Sequence, residues 1–428
     1  MSTVDSRAAR LPLVLRNPSF GRVWAGQLLT QAASRMFQVG AVWWLVGFAG
    51  GRHRGLDSGL FLMVSTLPAV ALAPVVARTV ARHAHRTVLA GAAATAGAVA
   101  TAAALLAQAG ALPMAAIYAV GLALAACQAL FDPCLTTSVP ELVEDADIEA
   151  ATGFELSTQS VAGLGGGLLG PLTVEAGGLP GVVAACAVAY LLAALLVLSA
   201  RFPHATTRAA GSASGPAPAS RSLRQVLAGL PFIRRVLVCF AAANVFTTAV
   251  YVVMPLYTRG VLHSTGSTVA SLEAALGVGT LVGSFTGARV PGRPVAVGSV
   301  CLVVMAAALG LPGLVVGHAV AFGALSAVGW CVGVIGVRFV ALFQRLVPAD
   351  DKPEFFAVMQ ALLGATFPVA SLVFGALGDH LTARTLCLVQ GAGLAPVALA
   401  LWRVGGRKDA DGSRVSAAQP LARAGETS

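Results

Sequence analysis

Charge is scarce in this 428-residue chain: Asp, Glu, Lys and Arg make up 11% of it, where a soluble domain carries about 25%. So little charge cannot clothe a water-facing surface, which excludes an ordinary soluble globular protein. Lysine is nearly missing, with Lys352 and Lys408 standing against 26 arginines, a bias that suggests a GC-rich bacterial genome. Aromatic residues are 6% of the chain, and no basic stripe with interleaved aromatics occurs, so the net charge of +10 is not read as a nucleic-acid footprint. No GxxxxGK[ST] phosphate loop is present, which argues against ATP as the direct energy source. The cysteines (Cys127, Cys134, Cys186, Cys239, Cys301, Cys331 and Cys387) form no CxxC pair and no His-flanked set. Neither a disulfide framework nor a metal site is expected, and they read as small packing residues. With no Ser/His/Asp set and no acids at catalytic spacing, an enzyme is not expected, nor is a cofactor.

What the chain does have is apolar length. Hydrophobic residues are 57% of it and the mean hydropathy is +0.81. A bilayer core of about 30 Å takes about 20 apolar residues per helical crossing. Twelve runs meet that need: 20–48, 56–78, 87–109, 112–137, 151–175, 180–200, 236–258, 266–288, 295–314, 316–343, 355–378 and 383–402. Barrel strands would alternate over about ten residues; these runs are too long and uniformly apolar. An all-α integral membrane protein is predicted, because in hydrocarbon every backbone polar group needs an internal partner.

The placement of basic residues orients the chain. With an inside amino terminus, inner segments hold 22 of the 28 Lys and Arg, outer loops hold Arg52, Arg54, Arg259 and Arg384, and Arg35 and Arg338 fall within crossings. This asymmetry predicts a multi-pass cell-membrane protein with both termini cytoplasmic. The Ala-, Ser-, Pro- and Gly-rich stretch 203–222 cannot bury a core and reads as a linker. The predicted organisation is a cytoplasmic segment 1–19, a six-helix bundle 20–202, a cytoplasmic linker 203–235, a second six-helix bundle 236–403 and a disordered cytoplasmic tail 404–428. Val139-Pro140-Glu141 before the fifth crossing and Val347-Pro348-Ala349 before the eleventh punctuate both halves alike. They suggest a duplication, and paired six-helix halves are a transporter architecture.

Polar residues inside the membrane carry the functional signal. On the first crossing, Gln27, Gln31, Arg35 and Gln38 recur at spacings of four, four and three and fall within an arc of roughly 80°. The seventh repeats the pattern with Asn244, Thr248 and Tyr251. Amides and a guanidinium in hydrocarbon cost several kcal/mol (of order 2–7 for an unpartnered amide) unless they face partners or water. These faces are expected to line a central cavity; a hydrogen-bonded seam between helices is the competing reading. The buried acids Asp132, Glu155 and Glu273 are candidates for proton coupling, with Arg35 and Glu273 the deepest opposite charges. Glu175 is expected to be solvated at the outer end of the fifth crossing, and His83 and His85 in the loop after the second. Gly166, Gly170 and Pro171 make the fifth crossing tightly packed but deformable, shaping an interface that moves.

Several segments together resemble the major facilitator superfamily, in particular its drug-efflux branch of macrolide-efflux and enterobactin-exporter proteins. The resemblance covers about residues 16–403. It rests on Arg16-Asn17-Pro18-Ser19-Phe20 leading to Trp24-Ala25-Gly26-Gln27, on Phe131-Asp132-Pro133, on Val139-Pro140-Glu141-Leu142-Val143 and on Gln344-Arg345-Leu346-Val347-Pro348. Gly166-xxx-Gly170-Pro171 resembles the family's antiporter motif, although Val174-Glu175 stand where a Gly-Gly pair would follow. After the second crossing, where the family carries Gly and Asp-Arg in an inner latch, this chain has Ala77, Ala81 and Arg82; only the arginine, Arg82, is kept as a gating residue. The resemblance implies two six-helix bundles working by alternating access. It also implies proton-driven export of a small amphipathic molecule: a drug, antibiotic, siderophore or other secondary metabolite. The expected partners are that substrate and membrane lipid, with the chain a monomer and a proton gradient as its energy source. Uptake or lipid transport by the same fold, and a non-transporting receptor or biosynthetic partner, are the alternatives.

Overall fold

A computed structural model describes residues 13–49, 53–144, 147–202, 231–347 and 352–423. Residues 1–12 of the amino-terminal segment, residues 203–230 of the linker, the loop 348–351 and residues 424–428 of the tail lie outside the described residues. The described elements are helical, and all twelve predicted crossings fall on helix. They are α1 (Pro18–Gly47), α2 (Arg54–Ala71, continued by Ala73–Arg82), α3 (His85–Gln108), α4 (Met114–Leu142), α5 and α6 (the two arms of Ile148–Ser199), α7 (Pro231–Thr248, continued by Val250–Gly260), α8 (Gly266–Thr286), α9 (Pro294–Leu314), α10 (His318–Leu346), α11 (Lys352–His380) and α12 (Ala383–Arg423). The last of these carries helix into the stretch expected as a disordered tail.

By length and composition, nine of the described helices can cross a membrane, or ten when the two arms of α2, bent by 40°, count as one span. Two local features separate that number from twelve. α5 and α6 are two helices that meet, with no loop between them, at a kink where Gly178 takes φ 62° and ψ −163°, a backbone state open to glycine because it has no Cβ. α1 is not among the nine because its own stripe of Gln, Thr, Ser and Arg dilutes its apolarity. The bend in α2 has an ordinary cause: Pro68 and Pro74 flank it, and each removes a backbone donor.

The helices gather into two compact units. The first comprises Met1–Pro218, Tyr251–Gly277 and Ser371–Leu381; the second comprises Ala219–Val250, Val278–Ala370 and Thr382–Ser428. The segments 251–277 and 371–381, which chain order assigns to the second bundle, therefore pack in the first unit. Within the first unit, α1 packs on both α5 and α6, and α3 packs on α6 and α4. Its core joins Phe20 and Val23 of α1, Leu89 and Ala93 of α3, Phe131 and Leu135 of α4 and Ala193 and Val197 of α6. In the second unit α9 packs on α10 and α12, and α7 on α12. Phe339 there meets Phe240 edge-on at 4.4 Å between ring centroids.

Close backbone approach explains part of the glycine content. A Cβ on Gly166 would stand 2.5 Å from the Ala32 carbonyl oxygen, and one on Gly170 2.7 Å from that of Met36. Both glycines thus seat α5 directly on α1. Gly170→Val is expected to cost about 1–3 kcal/mol by overpacking and to lower the Tm of the purified protein by several degrees. Gly165→Val, on the same helix but with open space at its Cβ position, is expected to leave Tm unchanged.

Candidate functional site

The polar stripe of α1 faces inward. Gln31, Arg35 and Gln38 line a cavity of about 330 Å³ in the first unit, together with Gln128 and Asp132 of α4 and Gln159 of α5. Phe37 and Leu124 supply its apolar wall and Ser65 of α2 a further hydroxyl. Gln27 belongs to the same stripe by spacing, but it is 2% exposed and is not among the cavity-lining residues.

Asp132 sits between two amides. Its Oδ1 accepts from Gln128 Nε2 at 2.7 Å, one turn back on α4, and from Gln31 Nε2 at 3.2 Å. One turn onward, Thr136 donates its hydroxyl to Glu155 of α5, a residue 9% exposed. The two carboxylates are thus held by neutral donors. Among the described residues neither lies within ion-pair distance of Lys, Arg or His. Two buried polar atoms of lining residues, Gln31 Oε1 and Ser65 Oγ, have no hydrogen-bond partner, each an unsatisfied group that costs free energy where it stands.

Arg35 is arranged differently. Its Nη2 lies 3.5 Å from Glu273 Oε2, Nη1 donates to Gln38 Oε1 at 2.8 Å, and the guanidinium stands 4.6 Å over the Tyr251 ring. Glu273 is 8% exposed. The cation is therefore neutralised within the unit, and the uncompensated charge of the lining is negative, at Asp132. Gly167 makes room for this pair: a Cβ there would meet Glu273 Oε2 at 3.3 Å.

The remaining candidates are dispersed. Asn244, in the second unit, donates to the Leu363 carbonyl at 3.0 Å and to Thr366 Oγ1 at 2.6 Å, while Thr248 donates to the Asn244 carbonyl one turn back. These bonds tie α7 to α11 and to itself. Of the α7 trio, Tyr251 is the member packed with Arg35. Gly166 and Gly170 face α1, whereas Gly167 and the Pro171 carbonyl face residues 266–273. Arg82 is exposed at the end of α2. Arg338 grips the carbonyls of Val290 and Gly292. His85, expected as a solvated loop residue, is instead a half-buried anchor whose Nδ1 lies 2.8 Å from Glu141 Oε1. Gln159 and Ser65 escaped the sequence reading, although Gln159 follows Glu155 by four residues and so shares its helical face.

The comparisons with known proteins follow this geometry. No curated protein matches the chain in sequence. Among solved structures, the nucleoside transporter NupG is similar with a TM-score of 0.71 at 10% identity, over 90% of this chain and 98% of its own. A bacterial homologue of the human lysosomal transporter Spinster, inward-facing and unoccupied, gives 0.69 at 12%, over 90% and 97%. A D-xylose–proton symporter gives 0.66 at 14%, over 90% and 97%. At these identities the likeness shows a shared fold. The family model described as Major Facilitator Superfamily matches residues 23–349, and this multi-pass membrane chain belongs to that superfamily.

Proposed function

We propose that the chain is a proton-coupled exporter of a small amphipathic molecule of the drug, antibiotic, siderophore or secondary-metabolite kind, working by alternating access. The observation that supports this most directly is the cavity itself. It is large enough for a small molecule and is lined by four glutamines and by Asp132, whose carboxylate is held by neutral donors. A carboxylate shielded from water and without a counter-ion is costly, so each turnover must bring it a proton, a cation or water. Proton coupling is carried on this fold by the D-xylose–proton symporter among the structural neighbours. The resemblance of Phe131-Asp132-Pro133 and of Gly166-xxx-Gly170-Pro171 to the drug-efflux branch supports export over uptake, and the basic inner segments support cytoplasmic termini.

The test is reconstitution. In proteoliposomes holding an internal pH dye, with an imposed proton gradient, the compounds that the chain exports from a pump-deficient host are expected to drive proton flux against their own movement. Export without any substrate-dependent proton flux would overturn the coupling. Flux with net accumulation on the amino-terminal side would overturn the direction.

A further inference from the structure

At one end of the first unit, charged side chains finish helix termini that belong to distant segments. Glu175 Oε1 accepts from the backbone N–H of Gly266, the first residue of α8, at 2.8 Å and from Trp43 Nε1 at 3.1 Å. Asp379 accepts from the N–H groups of Gly55 at 2.8 Å and Leu56 at 3.3 Å, in the first turn of α2, and lies 3.3 Å from His53 Nδ1. Arg259 donates to the carbonyl of Gly47, the last residue of α1, at 3.4 Å. In each case the sign of the charge is the one the helix terminus favours. α2 lacks a cap of its own, for His53 at its N-cap makes no side-chain bond to the helix, so Asp379 supplies from across the fold what a local Ser or Asp ordinarily would.

The two carboxylate caps are the same device built twice. α5 and α11 are the fifth helices of their halves, and α2 and α8 the second. Glu175 of α5 caps α8, and Asp379 of α11 caps α2. Beneath each cap the backbones touch. A Cβ on Gly266 would stand 2.7 Å from the Pro171 carbonyl oxygen, and one on Gly55 2.5 Å from that of Gly375. With packing this close, the helices cannot part without breaking the caps.

We propose that Glu175 and Asp379 are positioning residues of the transport cycle: their paired caps latch the outer ends of α2, α5, α8 and α11 and must break once per turnover. The proposal rests on the transport reading and on cytoplasmic termini. It is tested in the full-length protein carrying Val42→Cys on α1, in right-side-out vesicles, with a membrane-impermeant maleimide; the chain lacking Val42→Cys sets the background. Labelling is expected to rise about tenfold in Glu175→Gln and in Asp379→Asn, the response to roughly 1.4 kcal/mol of lost cap energy. In the double variant it is expected to rise further. Glu175→Asp, one methylene too short to hold both Gly266 and Trp43, should fall between. All variants are expected to keep the parent's Tm within a degree or two, which separates gate opening from unfolding. A double variant that labels no faster than the parent, at unchanged Tm, overturns the latch, as does faster labelling accompanied by a matching loss of Tm. Faster labelling confined to inside-out vesicles leaves the latch standing and reverses the topology.

Discussion

Arg35→Ala is expected to abolish transport and, unlike an ordinary cavity truncation, to damage folding as well. The ion pair is the reason, since Glu273 is 8% exposed and Arg35 is the cation beside it. Removing one partner of a buried pair costs about 3–5 kcal/mol because the other charge is stranded. The two effects separate in a double-mutant cycle. Glu273→Gln added to Arg35→Gln is expected to restore expression and Tm, while substrate-driven flux stays at background. Restored flux in the double variant would show that the pair holds structure and takes no part in the cycle; undisturbed Tm in Arg35→Ala would show that water already reaches Glu273.

Asp132→Asn is expected to uncouple the protein. Asparagine keeps an acceptor for Gln128, which donates at 2.7 Å, so the local hydrogen bonding survives in part and the fold should hold. What is lost is the ability to exchange a charge. Concentrative export driven by a proton gradient is expected to fall about a hundredfold or more, as when a positioned proton-transfer group is deleted, while equilibrium exchange of labelled for unlabelled substrate continues. Glu155→Gln provides the contrast that decides which carboxylate carries the proton: if it alone uncouples and Asp132→Asn does not, the roles reverse. Loss of both exchange and export in Asp132→Asn would place this residue in substrate binding instead.

Much of the architecture was legible because bilayer thickness dictates helix length, and twelve long, uniformly apolar runs fit membrane helices and not barrel strands. Arg35 and Glu273 were legible as the deepest opposite charges, and the structure pairs them at 3.5 Å. Asn244 shows where such reasoning ends. A polar face repeats with the same period whether it meets water or a neighbouring helix, and Asn244 bonds Thr366. The glycines of α5 show the same limit. Spacing puts Gly166 and Gly170 on one face, but only the packing reveals that this face seats α1, while Gly167 turns toward Glu273. Glu175 is exposed, as the sequence predicts, but its capping role was not legible, because its partners Trp43 and Gly266 lie far away in sequence in opposite directions and no local motif announces a cap borrowed from another segment.

The salt bridge between Arg35 and Glu273 also constrains how the protein is made. The ribosome delivers the first membrane segment long before the eighth, so a guanidinium enters the bilayer while its carboxylate is still untranslated. Until that carboxylate arrives, the side chain must shelter against lipid headgroups, water or a chaperoning insertase. The first half is thus a nascent intermediate with a polar debt, discharged when the incoming hairpin settles against it.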